Sequence, residues 1–110
     1  MMALQTVPNK RVKGVRWLAE LYKNRQVDAA TAQTLNKLVD LETSRLRLQL
    51  EDMERVMADY ERQYGMKSAD FFAEFEAGKL GDRMDYMEWS GLIQMAADLR
   101  KQLDELAAEG

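Results

Sequence analysis

Residues 46–64 of the chain are LRLQLEDMERVMADYERQY. Large apolar residues recur in this stretch at alternating intervals of four and three positions, which is the period of a heptad repeat. The spacing predicts an amphipathic α-helix whose apolar side packs against another helix, as in a coiled coil. The residues of this apolar seam are Leu46, Leu50, Met53, Met57, Tyr60 and Tyr64.

The predicted helix begins well before this stretch. Neither glycine nor proline interrupts the chain from Ala29 to Tyr64, and most of its residues have high helix propensity. Asp28 can cap the start, because its side-chain oxygen can accept a hydrogen bond from an amide of the first turn. Gly65 can end the helix in a left-handed conformation that costs glycine little. We therefore predict one long helix over residues 28–64.

A helix of this length is unusual for so short a chain. It would extend about 54 Å, whereas a compact domain of this size has a radius of gyration of about 13 Å. Two explanations stay open: the helix bends or breaks near Thr43 and Ser44, or a second chain covers it. Self-association is the simpler explanation, because the helix also has a second apolar stripe. That stripe comprises Leu38, Leu41 and Leu48, with Arg45 interrupting it.

A second heptad seam predicts the partner helix, over residues 85–107. Two such helices joined by a compact corner pack as an antiparallel hairpin. This pairing would place Trp89 beside Tyr60 and Tyr64. The second seam comprises Trp89, Leu92, Ala96, Leu99, Leu103 and Leu106.

The corner between the two helices contains a third, short helix, predicted over residues 68–77. Ser68 can cap its start through the side-chain hydroxyl. Gly78 ends it, and Gly81 turns the chain toward the last helix. The spacing of these two glycines, with Asp82 after them, does not fit a phosphate-binding loop.

Carboxylates at the start of the last helix suggest either a cation site or a helix cap. Asp82, Asp85 and Glu88 are spaced three residues apart, and hard cations prefer oxygen ligands. A capping box formed by Asp85 and Glu88 explains the spacing better, with Met84 and Trp89 as its hydrophobic staple. We therefore predict a structural corner and no metal site. The corner residues are Gly65, Gly78, Gly81, Asp85, Glu88 and Trp89.

The first 25 residues have a charge opposite to that of the rest of the chain. They hold six cations and one acid, whereas residues 26–110 hold ten cations and eighteen acids. We predict a flexible arm over residues 1–9 and a short basic helix over residues 10–25. Such asymmetry is typical both of a solvated basic terminus and of a segment that contacts nucleic acid. The nucleic-acid contacts would be Lys10, Arg11, Lys13, Arg16, Trp17, Tyr22, Lys23 and Arg25.

The composition argues against most kinds of catalysis. The chain contains no cysteine and no histidine, so it lacks thiolate chemistry, the usual general base and the usual transition-metal ligand. Its serines therefore have no histidine to activate them. We expect a protein that is not an enzyme, with no catalytic residues, no metal and no cofactor.

Three motifs around the corner resemble a known group of proteins. They are YGMKSADF at residues 64–71, FEAGKLGD at residues 75–82 and DYMEW at residues 85–89. They resemble motifs of small, mostly uncharacterised helical proteins of bacteria and archaea, some of which are encoded in toxin–antitoxin loci. The resemblance covers about residues 35–106 and implies no catalytic residues. The basic N-terminal segment lies outside it.

These patterns predict an all-α fold in which the long helix and the C-terminal helix form a coiled-coil-like antiparallel hairpin. The expected function is a non-catalytic protein–protein interaction module. In its most specific form it is an antitoxin-like neutraliser whose acidic body masks a basic partner protein. The alternatives are a nucleic-acid-binding protein that uses the N-terminal segment and a purely structural coiled-coil adaptor.

The expected partners are a second copy of the chain, in a homodimer, and a cognate protein. No apolar run is long enough to span a membrane and the N-terminus has no signal-peptide pattern, so we expect a cytoplasmic location and no membrane partner. Tyr86 begins a second apolar group on the last helix. The candidate partner-binding residues are Asp82, Tyr86, Met87 and Ile93.

Overall fold

The computed structural model describes residues 9–109, and it describes the side chains of residues 14–108. The described part of the chain consists of four helices without strands, which confirms the all-α prediction. The predicted arm over residues 1–9 lies outside the described residues, apart from Asn9. The helices are α1 (Asn9–Lys23), α2 (Ala29–Tyr64), α3 (Ser68–Glu76) and α4 (Met84–Glu109).

The chain divides into two units, one ending at Leu38 and the other beginning at Val39. The boundary falls within α2, which is an unbroken helix of 36 residues. The break considered near Thr43 and Ser44 does not occur. α2 thus contributes one segment to each unit. The sequence pattern predicts a single helical domain over residues 10–110, and this stays a prediction.

The first unit comprises α1 and the beginning of α2. Leu18 and Leu21 of α1 are partly buried, and the Tyr22 hydroxyl donates a hydrogen bond to Oδ1 of Asn36 on α2, at 2.9 Å. The side chain of Asp28 caps α2 as predicted, because its Oδ1 accepts a hydrogen bond from the amide of Thr31 at 2.7 Å.

A tight turn at Arg25 connects α1 to α2. The amide of Gln26 donates to the carbonyl of Leu21 at 2.7 Å, and the amide of Arg25 donates to the carbonyl of Tyr22 at 3.0 Å. This pair of hydrogen bonds defines a Schellman motif. Arg25 takes the left-handed position of that motif, with a φ of 59°, where glycine is the usual residue.

The second unit is an antiparallel hairpin of α2 and α4, closed at one end by α3. As α2 proceeds from Glu54 to Tyr64, its contacts on α4 run backward along the chain. Glu54 pairs with Arg100 at 2.9 Å, and the Tyr64 hydroxyl donates to Asp85 at 2.6 Å. The prediction of a helical hairpin, with Trp89 beside the two tyrosines, is thus confirmed.

The core of the hairpin is formed by the two predicted seams together with Phe71 of α3. Trp89 and Phe71 are fully buried, and their rings stack in parallel with centroids 3.9 Å apart. The Tyr60 ring stacks on the same indole, with centroids 5.6 Å apart. The buried core residues are Leu46, Met53, Met57, Tyr60, Phe71, Trp89, Ala96 and Leu99.

Ser68 differs from its predicted role as the cap of α3. The cap position is Lys67, and Ser68 is the first residue of the helix. Its hydroxyl instead accepts a hydrogen bond from Nε1 of Trp89, at 2.9 Å. The backbone amide of Ser68 donates to Oε2 of Glu61, at 2.7 Å, so α3 is capped by a side chain from the last turn of α2.

The predicted capping box at the start of α4 is wrong. The helix begins at Met84, and the Arg83 carbonyl accepts its first backbone hydrogen bond, from Met87. Asp85 is therefore already inside the first turn, and its carboxylate binds a tyrosine of α2. The staple is absent as well, since Met84 is 80% exposed whereas Trp89 is buried.

Glycine in the left-handed conformation terminates α2 and α3, as predicted. Gly65 has a φ of 65° and Gly78 a φ of 75°. After α3, the amide of Lys79 donates to the carbonyl of Glu74 and the amide of Gly78 to the carbonyl of Phe75, both at 3.0 Å. This second Schellman motif turns the chain toward α4.

Candidate interaction surfaces

A cluster of four polar side chains joins α2 to α4 at the edge of the aromatic core. The Tyr60 hydroxyl donates to Oε1 of Glu88, and the Tyr64 hydroxyl donates to Oδ2 of Asp85. We call these four residues the tyrosine–carboxylate clasp. The guanidinium of Arg83 lies over the rings of Tyr64 and Tyr86, at 5.8 and 5.4 Å from their centroids.

The clasp perturbs the ionisation of both tyrosines. The hydrogen bond to Glu88, together with burial, raises the pKa of Tyr60 to about 12. The hydrogen bond to Asp85 raises the pKa of Tyr64 in the same direction. Both phenols therefore remain protonated donors at neutral pH, and the clasp is a structural connection between the helices.

The structure does not bring the four predicted partner-binding residues onto one surface. Tyr86 and Ile93 are partly buried and pack against the core. Met87 is 55% exposed and lies on another side of α4. Asp82 is exposed in the loop before the helix. Of the four, Met87 and Asp82 are accessible to a partner.

An exposed row of methionines lies on the outward side of α4. Met87 follows Met84 by three residues, which makes these two side chains neighbours on the helix, and Met95 follows Met87 by eight residues, about two turns further along. They are 80%, 55% and 49% exposed in chain order. We call Met84, Met87 and Met95 the methionine face.

The composition alone could not identify this face. Methionine fills irregular gaps in cores and also forms adaptable binding surfaces. Met53 and Met57 of α2 are buried, whereas the three of the methionine face are exposed. Spacing is the sequence signal that could have identified the methionine face, because Met84, Met87 and Met95 fall outside the seam that contains Trp89.

Gly91 and two acids accompany the methionine face. Gly91 lies four residues after Met87 and four before Met95, and an added Cβ there would meet no atom within 4 Å. Asp98 and Glu105 follow Met87 by three and five helical turns, and both are exposed. From Met87 onward, this side of α4 thus carries Gly91 first and the two acids further along the helix.

A smaller apolar surface lies on α2. Leu41 and Leu48 are 68% and 63% exposed and, at seven residues apart, share one side of the helix. Arg45 lies between them and pairs with Glu42 at 2.6 Å. We call Leu41 and Leu48 the leucine face; they belong to the second apolar stripe predicted from the sequence.

The basic helix α1 exposes several of the predicted nucleic-acid contacts. Arg16, Lys23 and Arg25 are exposed, and Trp17 is 64% exposed. The side chains of Lys10, Arg11 and Lys13 lie outside the described part. Tyr22 is held against α2 by its hydrogen bond to Asn36.

Comparisons with known proteins give no relative from which a site can be transferred. No protein family, curated protein or solved structure matches the chain. Among the described residues, no helix is long and apolar enough to cross a membrane. Within the same residues, acidic side chains form no group of three suited to holding a metal ion.

Proposed function

We propose that the protein is a non-catalytic protein–protein interaction module that binds a basic partner through the methionine face. The observation that supports this proposal is the exposure of three long apolar side chains on one side of α4. Met84 and Met87 are neighbours on the helix, and exposed apolar groups that lie together are typical of interaction sites. Unbranched methionine side chains can adapt to a partner whose surface is irregular.

Charge indicates the kind of partner. Residues 39–110 hold nine cations and seventeen acids, and Asp98 and Glu105 continue the methionine face along α4. A basic protein surface would be attracted to this unit from a distance and then desolvate the methionines on contact. The partner that fits is a basic, amphipathic helical segment.

An antitoxin-like role is the most specific form of this proposal. The resemblance of the corner motifs to proteins encoded in toxin–antitoxin loci supports it, as does the acidic charge of the second unit. The acidic hairpin would mask a basic partner enzyme, such as a nuclease, whose substrate is itself anionic. In the alternative, the protein is a purely structural coiled-coil adaptor and has no partner enzyme to neutralise.

The leucine face supports homodimer formation as a second element of the proposal. If two copies of α2 cross antiparallel about a two-fold axis near Ser44, Leu41 of one copy meets Leu48 of the other. The same arrangement places Glu42 of one copy opposite Arg47 of the other. The surface is therefore complementary to itself in both shape and charge.

Two substitutions separate these interactions. Met87→Glu places a carboxylate in the methionine face, and Leu48→Glu places one in the leucine face at similar exposure. We expect Met87→Glu to abolish co-purification with a co-expressed basic protein encoded next to this gene, and to leave the molar mass unchanged in light scattering. We expect Leu48→Glu to halve the molar mass and leave partner binding intact.

Three results test the homodimer, the antitoxin-like role and the methionine face independently. A monomeric wild-type protein would eliminate the homodimer. The antitoxin-like role fails if the neighbouring gene product causes no growth defect that this protein relieves. Unchanged partner binding by Met87→Glu would refute the methionine face as the contact surface.

A further inference from the structure

Among the side chains that the structure describes, Trp17 of α1 lies outside the packed side of its unit. Leu18 and Leu21 provide the partly buried apolar side of the helix, whereas Trp17 is 64% exposed. A large aromatic ring gains free energy when it leaves water. An exposed indole on a short helix is therefore available for contact with a ligand.

The charges around Trp17 indicate an anionic ligand. Residues 9–25 contain six cations and a single acid, Glu20. Arg16 is adjacent to Trp17 and exposed. In the sequence, Lys10 and Lys13 precede Trp17 by seven and four residues and Glu20 follows it by three, so two cations and one acid share its side of the helix by spacing.

We propose that α1 binds single-stranded nucleic acid, with an unpaired base stacked on Trp17 and the phosphates neutralised by the surrounding cations. Aromatic rings within a positive surface are the usual means by which proteins hold single strands without sequence preference. An indole can stack only on a base whose π-face is free. In a duplex, the neighbouring base pairs cover these faces. This activity goes beyond the protein interaction proposed above and does not depend on it.

An anionic membrane surface is the competing ligand for a basic helix with a tryptophan. A membrane-bound helix needs a continuous apolar face. In α1, Leu18 and Leu21 are partly buried in the unit, and the exposed Val15 lies nearly opposite Trp17 around the helix. Within residues 14–23, the part of α1 whose side chains are described, the exposed apolar groups thus form no continuous face, which favours nucleic acid.

The test uses the full chain and a fluorescein-labelled oligothymidylate of about twenty nucleotides, enough for one binding site. Fluorescence anisotropy gives the affinity. Trp17→Ala should weaken binding by about tenfold, the loss expected for one stacked base. Val15→Ala is the matched control, equally exposed on the other side of α1, and should leave the affinity unchanged.

Salt dependence and tryptophan emission provide independent measurements. Neutralisation of six phosphates would give a slope of log affinity against log salt concentration of about −4. Because Trp89 is buried, quenching of tryptophan emission on binding should disappear in Trp17→Ala. The proposal is overturned if the chain does not bind the oligonucleotide, or if Trp17→Ala binds it as tightly as the wild type does. It is also overturned if the chain binds duplex DNA or phosphatidylserine-containing vesicles more tightly.

Discussion

Tyr60 and Tyr64 explain how two carboxylates lie beside an apolar core. Asp85 is partly buried and Glu88 is exposed, so both acids lie at the edge of the core, where a tyrosine hydroxyl can reach them. Each tyrosine packs its ring into the core and presents its hydroxyl to one acid. The two acids thus connect α4 to α2 and stabilise the hairpin.

Replacing Tyr60 with phenylalanine tests the clasp. The variant keeps the ring and loses the donor to Glu88, so we expect a loss of about 1.5–3 kcal/mol in the free energy of unfolding at neutral pH. The pKa of Tyr60 is raised to about 12 from an ordinary value of 10.0. Its stabilisation is therefore complete below pH 10 and is lost as the pH rises to about 12.

Urea titrations at several pH values measure this effect. The difference in free energy of unfolding between wild type and Tyr60→Phe should shrink from about pH 10 to about pH 12. Tyr86→Phe leaves both clasp hydrogen bonds in place and serves as the control. A pH-independent difference for Tyr60→Phe would contradict the role given to the hydroxyl.

Arg25→Gly should stabilise the first unit. Arg25 has a φ of 59°, a conformation that costs a side-chain-bearing residue about 1–2 kcal/mol. Glycine removes this cost and gives back part of the gain through its greater freedom in the unfolded chain. We expect a net gain of about 0.5–1 kcal/mol in the free energy of unfolding, measured by thermal denaturation. Lys23→Gly, inside the last turn of α1, should instead destabilise the protein.

At the scale of the helices, α3 depends on its neighbour for its cap. Its first residue, Ser68, donates its amide to Glu61 of α2, and its hydroxyl binds the indole of the core. The short helix therefore depends on its contacts with α2 and with the core indole for its stability. Its stability and that of the end of α2 are coupled through one carboxylate.

Glu61→Ala tests that coupling. Loss of an N-terminal cap costs about 0.5–2 kcal/mol. The amide of Ser68 lowers the pKa of Glu61 below its ordinary value, so the stabilisation is present above that ordinary value and is lost as the pH falls through the lowered pKa. The difference in melting temperature between wild type and Glu61→Ala should thus be smaller at about pH 3 than at pH 7. The exposed Glu51→Ala is the control, and an equal effect from it would contradict the cap.

The helices and their pairing could be predicted because the signals are local and repeated. The seam from Leu46 to Tyr64 and the seam that starts at Trp89 each identify the apolar side of one helix. Because the corner between the two helices is short, these apolar sides must pack against each other. The caps of α3 and α4 could not be predicted in this way. Asp85 and Glu88 bind tyrosines that precede them by 21 and 28 residues, and the Ser68 hydroxyl binds Trp89, 21 residues later. These tertiary contacts outcompete the local capping that the spacing allows.

At the scale of the whole chain, charge and apolar exposure are distributed unequally. Residues 39–110 are acidic and expose the methionine face, whereas residues 9–25 are basic and expose Trp17. Two surfaces of opposite charge suit two different ligands. The sequence predicted the charge asymmetry, but only the burial of each methionine and tryptophan separated those of the core from those of the surface.

Gly91→Ala separates stability from partner binding. The added Cβ enters open space, and alanine in a helix interior is favoured over glycine by about 1 kcal/mol. We expect a higher melting temperature and a weaker affinity for the basic partner, because Gly91 permits close approach to α4. Gly14→Ala in α1, also in open space, should stabilise the chain without changing partner affinity. Equal partner affinities of Gly91→Ala and wild type would contradict this use of Gly91.

The clasp also determines the axial alignment of the hairpin. Heptad seams repeat, so α4 could shift along α2 by seven residues and still bury apolar side chains. In the shifted alignment, Leu92 and Met95 would replace Asp85 and Glu88 beside the tyrosine hydroxyls, and both donors would lose their acceptors. Only one alignment satisfies both phenols. The same shift would put Ala96 where Trp89 stacks on Phe71, so the two hydrogen bonds and the indole together select a single folded hairpin.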